Sequence, residues 1–508
     1  MPFELPAAKS VAVNPTQQEM RAWVLEYMPN IQETVHGNLN YKAQVKARLS
    51  GSTFFVAESE NYQNRIGRAD FEEWAARQDE YIADKDMILI EGYIGPDPEY
   101  RTGCRLFIER TQANIPAMQA QLYFPPDDDW TPDLTVIYTP GLAAPGMPDD
   151  RLILVDNDNY VTRVFGSDYF GESKMGGLRM WNHLVYHRGG LAMHSGLKVF
   201  PDVDGEEKTL LVLGLSGTGK TTSTFREQLG SLPVQDDFVA LMPGGAVQTT
   251  ENGCFAKTYG LDADDEPTIH GGTVRADAWL ENTHVNEDGT IDFFNDSHTR
   301  NGRSTFPLDN IRHRSPLHVP PASHLLLLNR NNSIIPAVAK LTREQAGAYF
   351  MLGETRGTSA GGAAEAGKNL RVPGTNPFFF DNDALQGNRL IELLESMPDL
   401  EVYLMNTGAV GGAEDDPAAA DVKIHHSSAI ITGIVSNTIE WETDPDFGYL
   451  VASSIPDFGD LELLQPRRLY ERQGRLDEYA RLVEQLYADR RAYLRSFPGL
   501  DEGIVGAI

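Results

Sequence analysis

A chain of 508 residues is too long for one ordinary core, so two lobes with a ligand cleft between them are expected. Its 41% hydrophobic and 23% charged residues are those of a soluble globular protein, and no apolar run approaches the roughly 20 residues of a spanning helix. A net charge of −30 argues against nucleic acid and anionic membranes as partners.

The start, MPFELPAAKS, lacks the basic and then apolar pattern of a secretory signal, which points to the cytoplasm. Only Cys104 and Cys254 are present, so a disulfide framework is excluded. The acidic surplus is dispersed, in groups such as Asp127 to Asp129 and Glu414 to Asp416. Such a surface suits high salt or belongs to an ordinary acidic protein. An anionic substrate would need a local basic pocket.

In chain order, apolar spacing predicts helices over 17–28 and 71–83, and strands over 87–95 and 134–141. These form an N-terminal mixed α/β lobe, residues 1–198. From Leu210, LLVLGLSGTGKTTSTF gives a short apolar strand, a glycine-rich turn and a helix start, which opens a C-terminal lobe, residues 199–508. Further strands are expected at 238–242, 324–329, 402–406 and 428–435, and helices at 343–352 and 466–496. The last helix presents Leu469, Leu476, Tyr479, Leu482, Leu486 and Tyr493 for packing. The glycine and alanine rich stretch 357–369 reads as a mobile loop or an active-site lid.

Gly214, Leu215, Ser216, Gly217, Thr218, Gly219, Lys220 and Thr221 satisfy G-x-x-x-x-G-K-[ST] between a strand and a helix. In such a P-loop, backbone N–H groups converge on phosphate oxygens. Lys220 brings charge to the β and γ phosphates, and the Thr221 hydroxyl binds their magnesium. Downstream, Asp236 and Asp237 stand at the start of an apolar strand, where one carboxylate can reach the metal.

Read together, these residues resemble the ATP-dependent phosphoenolpyruvate carboxykinase family, whose P-loop is also G-L-S-G-T-G-K-T-T, which brings in Thr222. ENGCFAKT at 251–258, EPTI at 266–269, LENTHVNEDGTIDF at 280–293, IPAVAKLTREQ at 335–345 and LMNTG at 404–408 look like family segments in the family's order. The resemblance implies two α/β lobes around a cleft, the second carrying the P-loop and nucleotide. It implies a lyase of gluconeogenesis: oxaloacetate is decarboxylated to an enolate that takes the γ-phosphoryl group of ATP. Magnesium would accompany the triphosphate, and a second cation, usually manganese, the enolate. Carried over, Asp236 and Asp237 would organise the metals and His194 would be a metal ligand. Tyr169 would touch substrate, Lys257 and Glu266 would lie on the nucleotide side, and Arg303 would bridge substrate and γ-phosphate. An arginine there also makes sense unaided, because a planar guanidinium suits a transferring phosphoryl group.

Three departures stand out. Where the family has Y-G-G-E-M-K-K-G with the second lysine as ligand, this chain reads Tyr169 to Gly176 with Met175 in that place. A thioether is a poor ligand for a hard cation, so Lys174 shifts into the role, or His194 and Asp237 bind metal with water, or the site is lost. Where the family has G-R-S-P-K-D, Ala57, Glu58, Ser59 and Glu60 stand here, with Arg65 or Arg68 as candidate replacements. The adenine-side segment becomes acidic, AEDDPAAADVKIHHSS, with Ser427 as the candidate substitute. Besides the carboxykinase reaction, a kinase for another small molecule and a nucleotide-binding regulator without turnover therefore stay open. The chain is expected to act on a small-molecule substrate as a monomer or small homo-oligomer.

Overall fold

The computed structural model describes residues 3–57, 64–215, 217–356, 368–412 and 416–508. The altered stretch Glu58 to Glu60, Ser216 of the P-loop and residues 357–367 of the expected lid lie outside the described residues.

Among the described residues, a mixed eight-stranded sheet is built between Ser10 and Phe165. Ile88, Ile90, Leu106, Ile108, Val136 and Tyr138 fill one face of it, under the helix Phe170–His187. The alternate residues Met87, Leu89, Phe107 and Ile137 pack on the other face. Burial on both faces explains why these strands read as continuous apolar runs.

A ten-stranded sheet begins at Leu191–Val203 and contains the parallel strands Glu206–Leu213, His324–Asn329 and Glu401–Asn406, in register from Leu210 through His324 to Glu401. Leu211, Leu213, Leu325, Leu327 and Leu404 face one core. Leu210, Val212, Leu326, Leu328 and Met405 face another. All three strands end at the same edge, where ligands of open parallel sheets bind. Their turns meet there: Thr407 Oγ1 donates to the Thr218 carbonyl at 2.9 Å, and Arg330 donates to that of Gly217 at 3.0 Å.

A five-stranded sheet pairs Gly253–Lys257, Arg303–Pro307, Trp279–Glu281, Leu39–Tyr41 and Ile31–Glu33. Its register sets Lys257, Arg303, Glu281 and Tyr41 side by side in one row. The fold is mixed α/β throughout, and no helix of the described residues is long and apolar enough to cross a membrane.

Two expected elements are corrected. Residues 428–435, expected as a strand, belong to the helix Ile424–Val435, whose buried Ile430, Ile431, Ile434 and Val435 form one helical stripe. An apolar run this short fits either period, and packing against Phe458 and Ile439 decides. The expected helix 466–496 is two helices, Pro466–Arg472 and Leu476–Leu494, broken at Gly474 with φ +70°.

Inside the second helix, Arg490 is wholly buried and donates to both Glu354 oxygens, at 3.0 and 2.6 Å. Burial alone would raise the Glu354 carboxyl, yet Arg490 and Arg371 hold it down to about 2. Arg490→Met leaves this buried carboxylate with Arg371 and Asn329 as its remaining partners and is expected to cost about 3 kcal/mol, read as a fall in Tm at neutral pH. Because the folded carboxyl titrates below its ordinary 4.5, the pair's contribution is complete above that pH and vanishes as pH falls toward 2. The variant and the native chain should therefore converge in acid.

Candidate active site

The strand Glu206–Leu213 ends in a turn where Gly217 and Gly219 take φ of +89° and +86°, a region that favours glycine. At Gly214 a Cβ would come within 2.4 Å of Thr218 Oγ1. The Leu215 carbonyl accepts the Thr218 hydroxyl at 2.7 Å, which tightens the turn before the helix Lys220–Phe225. Lys220 is only 7% exposed. Its Nζ bonds the Asp236 carbonyl and lies 3.4 Å from Asp236 Oδ1, while the Thr221 hydroxyl donates to Asp236 Oδ2 at 2.5 Å. One position on, Thr222 Oγ1 donates to Glu266 Oε1 at 3.2 Å.

The strand Phe238–Leu241 pairs with Leu191–Val203 so that His194 faces Phe238, with the rings stacked 5.1 Å apart. That register brings His194 Nε2 to 3.1 Å from Asp237 Oδ1. Burial and the nearby Lys220 lower the proton affinity of His194, leaving a neutral imidazole. From the helix Phe170–His187, Lys174 reaches Asp237 and Glu251, the latter at 2.7 Å. Burial disfavours the ammonium, but these two carboxylates outweigh it and raise its proton affinity. Asp237 is held well below the usual carboxylate range, against its burial, by Lys174 and His194. Glu251 is pushed up to about 7 by burial, opposed by Lys174 and reinforced by Asp237. Met175, one position beyond Lys174, points into the N-terminal core and is 8% exposed.

A second cluster adjoins the first. Asn301, fully buried, donates to the Tyr169 hydroxyl at 3.2 Å and accepts from Arg303 at 2.9 Å. The Arg303 guanidinium lies 5.0 Å from the centre of the Phe255 ring, and Lys174 Nζ lies 4.7 Å from the same ring. Lys257 and Glu281 flank Arg303 across the sheet. Burial lowers Lys257, aided by Arg303 and Arg300, and burial raises Glu281 well above the carboxylate range.

Beside the P-loop lies a cavity of about 310 Å³, lined by Gly217, Thr222, Gln228, Ile424, Ser427 and Ser428. Ser427, the candidate substitute for the adenine-side residues, is one of its lining residues. Arg68, a candidate for the lost substrate arginine, is instead paired with Asp156 and Asp158.

Lys220, Thr221, Thr222, Asp236 and Glu266 therefore meet in one group; Lys174, His194 and Asp237 meet in another; and Tyr169 and Arg303 meet through Asn301. Glu251, Asn301, Phe255 and Glu281 went unassigned in the sequence. The segment ENGCFAKT, which carries Glu251 and Phe255, was the available signal.

The donor sets suit cations. Asp236 Oδ1 is buried and accepts no hydrogen bond, beside the Thr221 hydroxyl, which gives hard oxygen donors of the kind magnesium takes. His194 Nε2 and Asp237 Oδ1, 3.1 Å apart, offer one nitrogen and one oxygen, a pair that suits manganese. Met175 takes no part.

A strand, a glycine turn and a helix at the carboxyl edge of the parallel strands, with lysine, threonine and carboxylate converging, define a mixed α/β protein. Residues 9–460 match the family model described as phosphoenolpyruvate carboxykinase. A phosphoenolpyruvate carboxykinase (ATP) of Moorella thermoacetica is 30% identical, over 87% of this chain and 85% of its own. That of Aeropyrum pernix is 31% identical over 83% of each chain, and that of Caldanaerobacter subterraneus subsp. tengcongensis 27% over 88% of each. The chain belongs to the ATP-dependent phosphoenolpyruvate carboxykinase family.

Proposed function

We propose that this chain is an ATP-dependent carboxykinase that converts oxaloacetate and ATP to phosphoenolpyruvate, ADP and carbon dioxide. The observation that carries the proposal is the convergence of two cations, Lys174 and Arg303, on the ring of Phe255, in a chain whose P-loop holds Lys220 and Thr221 against Asp236. Both steps of the reaction develop negative charge, first on an enolate and then on a transferring phosphoryl group. Fixed positive charge in a buried site is the means of stabilising both.

In this reading Gly214, Leu215, Ser216, Gly217, Thr218 and Gly219 cradle the phosphates. Lys220 holds the β and γ phosphates, while Thr222, Lys257 and Glu266 line the nucleotide side. Thr221 and Asp236 would hold magnesium, and His194 and Asp237 a second cation such as manganese. Bound there, the two cations supply positive charge at the triphosphate and at the enolate. Tyr169 and Lys174 orient the substrate, and Arg303 bridges it to the γ-phosphate. Asn301 fixes Tyr169 and Arg303 relative to one another. We place the division between substrate-side and nucleotide-side lobes near residue 198. We also assign the chain to the cytoplasm, as a monomer or small homo-oligomer.

A coupled assay with oxaloacetate, ATP, magnesium and manganese tests the proposal. Phosphoenolpyruvate formed in proportion to oxaloacetate is the expected result, and none above a blank without oxaloacetate would sink it. Burial of Met175 away from the cleft keeps a second reading in view, a kinase for another acceptor. ATP consumption that other small hydroxylated or carboxylated metabolites support, and oxaloacetate does not, would favour it. For the second cation, Asp237→Asn is expected to weaken Mn²⁺ binding by about tenfold or more. Electron paramagnetic resonance reads this directly, and an unchanged affinity would remove Asp237 from the ligand set.

A further inference from the structure

Beneath the P-loop helix, on the strand Leu191–Val203, lies a lysine that the proposed chemistry does not use. Lys198 is wholly buried. Its Nζ donates to the Ser223 carbonyl at 3.1 Å, the Arg226 carbonyl at 2.6 Å and Gln228 Oε1 at 2.6 Å. The first two carbonyls close the C-terminal end of the helix Lys220–Phe225, where carbonyls lack intrahelical partners and the helix dipole favours a cation. Gln228 then continues the chain of contacts. Its amide donates to Ser428 Oγ at 2.9 Å, on the helix Ile424–Val435. Gln228, Ser427 and Ser428 all line the cavity of about 310 Å³ beside Gly217 and Thr222. The two walls of that cavity, the P-loop helix and the helix Ile424–Val435, are thus tied through one buried ammonium.

We infer that Lys198 is a positioning residue for the nucleoside end of the bound nucleotide: through Gln228 it sets the spacing between the P-loop helix and the helix carrying Ser427 and Ser428. The inference rests on the nucleotide-binding reading above. A buried ammonium is expensive, and burial brings this one down to about 7 despite the help of Glu227. Three acceptors are the compensation that such a group needs. An apolar residue would fill the same space at less cost if packing alone were required. The polar link to Gln228 and Ser428 is what an apolar residue lacks.

The experiment separates the nucleoside from the phosphates. Calorimetry measures binding of magnesium ATP and of magnesium tripolyphosphate to the full chain, to Lys198→Met and to Gln228→Leu. Both variants should bind ATP about tenfold more weakly and tripolyphosphate within twofold of the native chain, because the phosphate turn itself is intact. Gln228→Glu, whose carboxylate accepts from both Lys198 and Ser428, should restore most of the ATP affinity. If Lys198→Met does not fold, Gln228→Leu decides, since it leaves Lys198 its two carbonyls. Unchanged ATP affinity in a folded variant overturns the inference, and so does an equal loss for both ligands, which would mean a distorted P-loop. A native chain that binds neither ligand overturns the nucleotide reading and this inference with it. A native chain that binds ATP while the variants match it overturns the inference alone.

Discussion

Lys220→Ala is expected to lower kcat for phosphoenolpyruvate formation by about a thousandfold, the scale on which one charged clamp on a transferring phosphoryl group acts. The side chain is buried, its Nζ bonded to the Asp236 carbonyl and 3.4 Å from Asp236 Oδ1, so it is already aimed at the edge where the triphosphate would lie. Alanine removes the charge but leaves the glycine turn and the Thr221–Asp236 bond, the groups proposed to hold the phosphates and magnesium. The loss should therefore fall on kcat more than on KM for ATP, the pattern of an interaction made mainly in the transition state. His194 would feel the change too, since Lys220 is one cause of its lowered proton affinity. In the variant, its titration, followed by NMR, should move up. Turnover within tenfold of the native chain would show that Lys220 is not the clamp.

Local features of this chain were legible and long-range ones were not. The P-loop could be read because its left-handed glycines and its helix start are fixed by neighbouring residues. The helix Arg343–Leu352 could be read for a similar reason: Thr342 and Gln345 cap it reciprocally, the Gln345 N–H bonding Thr342 Oγ1 at 3.3 Å. By contrast, Glu251 meets Lys174 from 77 positions away, and Asn301 meets Tyr169 from 132. No periodicity encodes such pairs, because they follow from which strand lies beside which. The row Lys257, Arg303 and Glu281 is likewise a matter of sheet register. The resemblance to a family supplied Lys257 and Arg303 but assigned no role to Glu281, whose burial is visible only in three dimensions. The failed strand at 428–435 shows the converse. There the apolar run was read without its tertiary partners, and packing chose the helix.

Arg303→Met is the other large effect, an expected loss of about a thousandfold in kcat/KM for oxaloacetate, the lower end of what an arginine on a transferring phosphoryl group contributes. The guanidinium is held by Asn301 at 2.9 Å and by the Phe255 ring, and its Nε is buried without a hydrogen-bond partner. A buried donor left open is costly unless a ligand completes it, and an oxyanion from oxaloacetate or the γ-phosphate is the kind of partner that would. Lysine should rescue little, because a point charge on a flexible stem cannot reproduce the planar fork. Two neighbours report independently on the loss of charge. Lys257, which Arg303 helps to depress, should gain proton affinity, and Glu281, which Arg303 opposes from rising further, should rise. Binding of ATP alone should change by less than about threefold if, as proposed, the P-loop carries most of that affinity. A variant that keeps a tenth of native kcat/KM would place Arg303 outside the bridge between substrate and γ-phosphate.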